Sequence, residues 1–121
     1  MKILLVGDIV GGPGRRVFRE VVRRLRGANG VQAVVVNGEN AAGGFGLTRE
    51  TADKLFAAGA DAITSGNHIW EKKGAAELLD GDPRILRPAN YPALAPGRGL
   101  CELEKGGRRW AVINLQGREG M

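Results

Sequence analysis

At 121 residues, with 43% hydrophobic and 26% charged side chains, the chain has the composition of one globular domain with a modest core, which excludes disordered and collagen-like polymers. The lone Cys101 excludes an internal disulfide, and the four-residue apolar run in "MKILLVGD" is too short for a signal peptide or membrane span, so a soluble cytoplasmic protein is expected. A net charge of +5 raises the question of an acidic partner, and where that charge sits decides its meaning.

Ile3 to Val6 is a continuous apolar run without alternation, the pattern of a strand buried on both faces of a parallel sheet. Gly11, Gly12, Pro13 and Gly14 then turn the chain into "GRRVFREVVRRLRG", where Phe18, Val21, Val22 and Leu25 recur at helical spacing and predict an apolar stripe facing a core. Arg15, Arg16, Arg19, Arg23, Arg24 and Arg26 occupy the rest of that helix. With no base-stacking aromatics and no known reader motif among them, they read as solvated surface, and nucleic acid is not an expected partner.

The helix stops at "GANG", and Val31 to Val36 reads as a second buried strand that ends in "NGEN" and the glycine loop "AAGGFG". Thr48 is the expected N-cap of "RETADKLFAAG", whose narrower stripe is Ala52, Leu55 and Phe56. "DAITSG" is a third strand, and a further helix is expected from Glu71 to Leu79. "DPRILRPANYPALAPGRG" holds four of the five prolines and reads as an extended surface segment. "GLCELEK" and "RRWAVINL", joined by Gly106-Gly107, have the pattern of a β-hairpin. The β-loop-α repetition predicts an α/β fold with a mostly parallel sheet, right-handed crossovers and a C-terminal hairpin, without an internal repeat or domain boundary.

Parallel sheets bind ligands beyond the carboxyl ends of their strands, where loops converge and helix N-termini point their amides. The first strand ends in Gly7-Asp8, the second in Asn37-Gly38-Glu39-Asn40, and the third in Gly66-Asn67-His68. Asp8, Glu39, Asn40 and Asn67 thus offer two carboxylates and two amide carbonyls from three segments, an oxygen set suited to a hard or borderline divalent cation. Asp and Asn are also ordinary turn formers after strands. Three strand ends together, each with a glycine beside the candidate, favour a site over turn chemistry alone. His68 is the only histidine, and packing, metal ligation and proton donation are all open to it at this point.

Two other readings compete. A Rossmann-type nucleotide-binding module without hydrolytic activity would use the glycine turn after the first strand and Glu39 at the end of the second. Its fingerprint is incomplete, because Val17 stands where the third glycine belongs and Pro13 where a P-loop needs its lysine. A non-catalytic domain holding an acidic partner on the arginine helix is the third.

"GDIVG", "NGENAAGGFGLT", "SGNHIW", "RPANYP" and "VINLQGR" resemble, in order and spacing, the N-terminal part of the YmdB-like branch of the calcineurin-type metallophosphoesterases. The resemblance runs from Met1 to about Arg118, and Val10 stands where the wider superfamily carries a histidine, as is usual in this branch. It implies a metallophosphoesterase-like sandwich, two divalent cations, iron or manganese, and a small phosphodiester substrate such as a 2',3'-cyclic nucleotide. Asp8 and Asn40 would be ligands of the first metal, Glu39 the bridge, Asn67 a ligand of the second, and His68 the general acid just outside the coordination sphere. An imidazole suits that role because it exchanges a proton near neutral pH.

Members of that branch are longer, and their sites are completed by histidines of a second half, including a His-x-His pair that these residues lack. Either a truncated reading of a longer enzyme or a reduced relative that has lost the chemistry would explain this; the first is favoured, and the chain is expected to be the N-terminal portion of a longer enzyme, binding metal weakly and hydrolysing little by itself. It stops just after an apolar strand, and "REGM" is too short to cap the core. No membrane partner is expected, and a homo-oligomer is compatible with the sequence.

Overall fold

The structure, a computed structural model, describes residues 1–119. Three parallel strands, β1 (Lys2–Val6), β2 (Val31–Asn37) and β3 (Ala62–Thr64), lie in the order β1-β2-β3. They are joined by helices α1 (Gly11–Asn29) and α2 (Arg49–Ala58), as the repetition in the sequence predicts. A short 3-10 turn (Asn67–Glu71) and helix α3 (Ala75–Gly81) follow, and the antiparallel hairpin β4 (Leu100–Lys105) and β5 (Arg108–Ile113) closes the order.

Local chemistry accounts for the element ends. Helix α1 stops at Gly30, whose φ of 64° is left-handed and costs a glycine little. Thr48 caps α2 as expected, but its reciprocal partner is the hydroxyl of Thr51 in place of the usual Glu or Gln. Gly106 and Gly107, at φ 60° and 72°, supply the two positive angles of the hairpin turn.

One face of the sheet carries the larger core. Val34 and Val36 of β2 and Ile63 of β3 pack with Phe18 and Val22 of α1, Leu55 of α2 and Leu79 of α3, all buried. Each such aliphatic side chain contributes roughly 1.5–3 kcal/mol on burial. Opposite, the hairpin packs Cys101, Leu103 and Val112 against Val35, Ala62 and Leu86. Burial there pushes the Cys101 thiol up against the smaller opposing influence of Arg98, which keeps it protonated and unreactive.

Three expectations need correction. β1 is not buried on both faces: Leu4 and Val6 meet the core, whereas Ile3 and Leu5 are 43% and 75% exposed, because the hairpin covers only part of that side of the sheet. The helix expected from Glu71 is split, because the backbone extends at Lys72 and turns left-handed at Gly74, so α3 begins at Ala75. The proline-rich segment is not wholly a surface strap. Ile85, Leu86, Arg87 and Pro88 are buried, and Ile63 bridges to Ile85 in parallel, which extends the sheet beyond β3. Gly120 and Met121, part of the "REGM" tail, lie outside the described residues. Among the described residues no helix is long and apolar enough to cross a membrane.

Candidate functional site

The carboxyl ends of β1, β2 and β3 converge, and four of the five residues singled out in the sequence meet there in one hydrogen-bonded network. Asn40 Nδ2 donates to both oxygens of Asp8, at 3.0 and 2.9 Å. Asn40 Oδ1 lies 2.8 Å from His68 Nδ1, which puts the ring proton on Nδ1 in this amide orientation and leaves Nε2 free of that bond. Glu39 Oε2 accepts the backbone N–H of His68 at 3.0 Å. Residues 60 positions apart in sequence, Asp8 and His68, are thus tied through a single buried asparagine.

The backbone explains why these side chains converge. The amide of Ile9 donates to the carbonyl of Asn37 at 3.1 Å and that of Gly38 to Thr64 at 3.0 Å, so the parallel ladder continues past the strands into the loops. The loop after Glu39 folds back on itself, with Gly46 N–H donating to the Glu39 carbonyl and Ala42 N–H to Gly46. Gly43, Gly44 and Gly46 hold φ of 82°, 117° and 102°, angles that this reversal requires and other residues resist. Gly66 serves by its missing side chain: a Cβ there would stand 2.9 and 3.0 Å from the Glu39 oxygens.

Asn67 stands apart. It opens the 3-10 turn, is exposed, and its side chain joins no hydrogen bond of the network among the described residues. Two further side chains, Asn37 and Phe45, join the site. Asn37 Nδ2 donates to Glu39 Oε1 at 3.2 Å, and the Phe45 ring lies over His68 with centroids 4.1 Å apart. An asparagine closing a strand two residues before a carboxylate, and a lone aromatic inside a glycine loop, were the available signals.

The charge balance of the site is distinctive. Among the described residues no lysine or arginine pairs with Asp8 or Glu39, although 18 such residues are present against 13 acids. The nearest cationic partner is His68 Nδ1, 4.0 Å from Glu39 Oε2 and charged only when protonated. By contrast Asp61 and Asp82 each collect two basic side chains. Two carboxylates left without counterions, each accepting an N–H from a neighbouring asparagine, form a negative cluster that an external cation would neutralise. The set is partial, because the described residues contain no group of three or more His, Cys, Asp or Glu placed to hold a metal.

Comparison with known proteins agrees with this reading of the fold. A family model described as YmdB-like protein matches residues 4–121. The chain is 47% identical over 118 residues to a Bacillus subtilis (strain 168) protein named 2',3'-cyclic-nucleotide 2'-phosphodiesterase, covering 98% of this chain and 45% of that one. The crystal structure of a hypothetical protein from Thermus thermophilus superposes with a TM-score of 0.90 at 37% identity, covering 100% of this chain and 47% of that one. A Mycoplasma pneumoniae protein described as a novel phosphatase superposes with a TM-score of 0.87 at 28% identity, over 98% of this chain and 43% of that one. The chain thus spans about half the length of the curated relatives it matches. On the match of nearly its whole length to the family model, the chain belongs to the YmdB-like family.

Proposed function

We propose that this chain carries the N-terminal part of a metal-dependent phosphodiesterase site that acts on 2',3'-cyclic nucleotides or related phosphodiesters. The observation that carries the reading is the pair of carboxylates, Asp8 and Glu39, gathered at the strand ends in one network with Asn40 and His68 and, among the described residues, with no lysine or arginine to balance them. The name of the Bacillus subtilis relative supports the substrate class.

In this proposal Asp8, Asn40, Glu39 and Asn67 hold two divalent cations, iron or manganese, and the remaining ligands come from outside these residues. The donor set fits, because hard oxygen ligands from three separate loops suit such ions. When bound, the cations would supply a nucleophilic water and neutralise phosphoryl oxygens. The chain's own residues orient and protonate. Glu39 fixes the start of the 3-10 turn by accepting the His68 N–H, which sets where the imidazole stands. Asn40 holds the Nδ1 proton, so when the ring is the imidazolium the proton that passes to the departing sugar oxygen is the one on Nε2, and the ring is left neutral with Nδ1 still bonded to Asn40. Phe45 covers one side of the ring and shields it from water.

His68 is the only histidine, so its ring resonances need no assignment. On titration of the 121-residue chain with Mn²⁺, they should broaden before those of residues far from the site, and Asp8→Ala should abolish the effect. Hydrolysis of 2',3'-cyclic AMP by the same chain should be slow and Mn²⁺-dependent. Absence of selective broadening at His68, or broadening indifferent to Asp8→Ala, would overturn the reading.

A further inference from the structure

Helix α1 gives the molecule a second feature that the site does not use. Arg15, Arg16, Arg19, Arg23 and Arg26 recur at three- and four-residue steps and therefore share one stripe of the helix. Taken alone, that stripe is solvated surface. Helix α2 packs beside it and supplies a second wall with Lys54, enclosing a groove of about 540 Å³ floored by Val22 and Leu55.

Among the described residues no acidic side chain lines the groove. Its six basic side chains exceed the net charge of the whole chain, +5, so the positive charge is concentrated here and the remaining surface is close to neutral. Arg26 is committed to Asp61 at 2.9 Å, Lys54 to Glu50 at 3.1 Å, and Arg15 to the Ala41 carbonyl. Arg16, Arg19 and Arg23 have no ion-pair partner among the described residues.

One end of the groove lies beside the loop that carries Asn40. Gly12 lines one end, and its neighbour Gly11 donates its N–H to the carbonyl of Asn40 at 3.1 Å. Arg15 grips the next carbonyl, that of Ala41. From there the basic stripe runs to Arg26, about 17 Å along the helix axis at 1.5 Å per residue. A single phosphate needs one or two of these groups. A row of cations leading away from a phosphodiester site matches a row of phosphates, and a lining without aromatic side chains among the described residues means contact with the backbone and not with bases.

We propose that this groove binds the phosphate backbone of single-stranded RNA and so presents a 2',3'-cyclic phosphate at the strand's 3' end to the Asp8, Glu39 and His68 site. The delivery of that end rests on the function proposed above; the binding of the strand does not. Such an end is what remains when a ribose 2'-hydroxyl displaces the next nucleotide of its own chain, so the substrate class of the site and the ligand class of the groove are chemically one.

The test is fluorescence anisotropy of a labelled oligoribonucleotide bearing a 2',3'-cyclic phosphate, titrated with the 121-residue chain without metal across a range of salt. Affinity should fall with salt at a log–log slope of roughly 0.7 per phosphate contacted. Arg19→Glu with Arg23→Glu should weaken binding about tenfold or more and flatten that slope. Arg24→Glu with Arg108→Glu makes the same change of charge outside the groove and should change affinity less than about threefold. All four positions are exposed, and circular dichroism verifies that both double variants fold. Absence of binding, equal loss in the two double variants, or equally tight binding of a polyglutamate peptide would overturn the proposal. Groove binding without any Mn²⁺ response at His68 would sink the hydrolytic reading alone, and the converse result would sink this one alone.

Discussion

Gly66→Ala tests whether the position of Glu39 is what builds the site. The added Cβ would stand 2.9 and 3.0 Å from the two carboxylate oxygens and 3.3 Å from Cδ, where ordinary contact begins at 3.4 Å. Glu39 must then retreat by about half an ångström, which stretches its bonds to the His68 N–H and Asn37 Nδ2 beyond useful length. They start at 3.0 and 3.2 Å. Losing one hydrogen bond to a charged group costs about 1.5–3 kcal/mol. If metal affinity depends on Glu39 in this place, the Mn²⁺ midpoint read from His68 broadening should rise about 10- to 150-fold. Asn37→Ser removes one of the two bonds without adding atoms and should move the midpoint in the same direction by less. A folded Gly66→Ala protein with an unchanged midpoint would refute the reasoning, because Glu39 would then be free to move without consequence for the cation.

Three further predictions concern the frame around the site. Asn114 Nδ2 donates to the carbonyls of Ser65 and Leu86 at 2.7 and 3.1 Å, and since the Leu86 carbonyl keeps the Ser65 hydroxyl as a second donor, Asn114→Ala strands the Ser65 carbonyl and should cost about 1–3 kcal/mol in urea denaturation. Gly99→Ala would drive a Cβ into the backbone of Ala89, which no rotamer change relieves; a loss of at least about 1–3 kcal/mol is expected from the urea midpoint, with β4 and β5 losing amide-exchange protection first. Burial alone would raise the Asp82 carboxyl, but hydrogen bonds from the Arg84 side chain and backbone, with Arg49 behind them, outweigh it and hold the carboxyl below the ordinary range. Its stabilisation is therefore complete above the unfolded value of about 4 and lost as pH falls through the lower folded value. Urea midpoints followed from pH 5 downward should drop less steeply in Asp82→Asn than in the unchanged chain.

Much of the architecture was legible in the sequence because local chemistry controls it. The apolar spacing of Phe18, Val22 and Leu25 fixes a helix by periodicity, although Val21 of the same run stands exposed and only Phe18 and Val22 are buried; Thr48 caps α2 through its own hydroxyl, and Gly106-Gly107 accepts the positive angles of the hairpin turn. The same holds for the placement of Asp8, Glu39, Asn40 and His68 at strand ends, since runs of apolar residues end where polar loops begin. Other features depend on what packs against an element, which no window of sequence contains. Ile3 and Leu5 look like core residues and stand exposed because the hairpin crosses only part of their face, while "ILRP" looks like surface and is buried because Ile85 extends the sheet beside Ile63.

For function the division is similar. Sequence alone supplied the donor types and their order, and the motifs carried the family. Only the tertiary structure tied Asp8 to His68 through the two ends of one asparagine amide and put Phe45 on the imidazole. It also left the two site carboxylates without counterions among the described residues while Asp61 and Asp82 took theirs, and made the arginine stripe one wall of a groove whose other wall is α2. The physical reason is common to all of these. Residue type and local spacing fix what a side chain can do and which way its own element presents it, whereas charge compensation, shielding and concavity are relations between elements distant in sequence, and they exist only once the chain has packed.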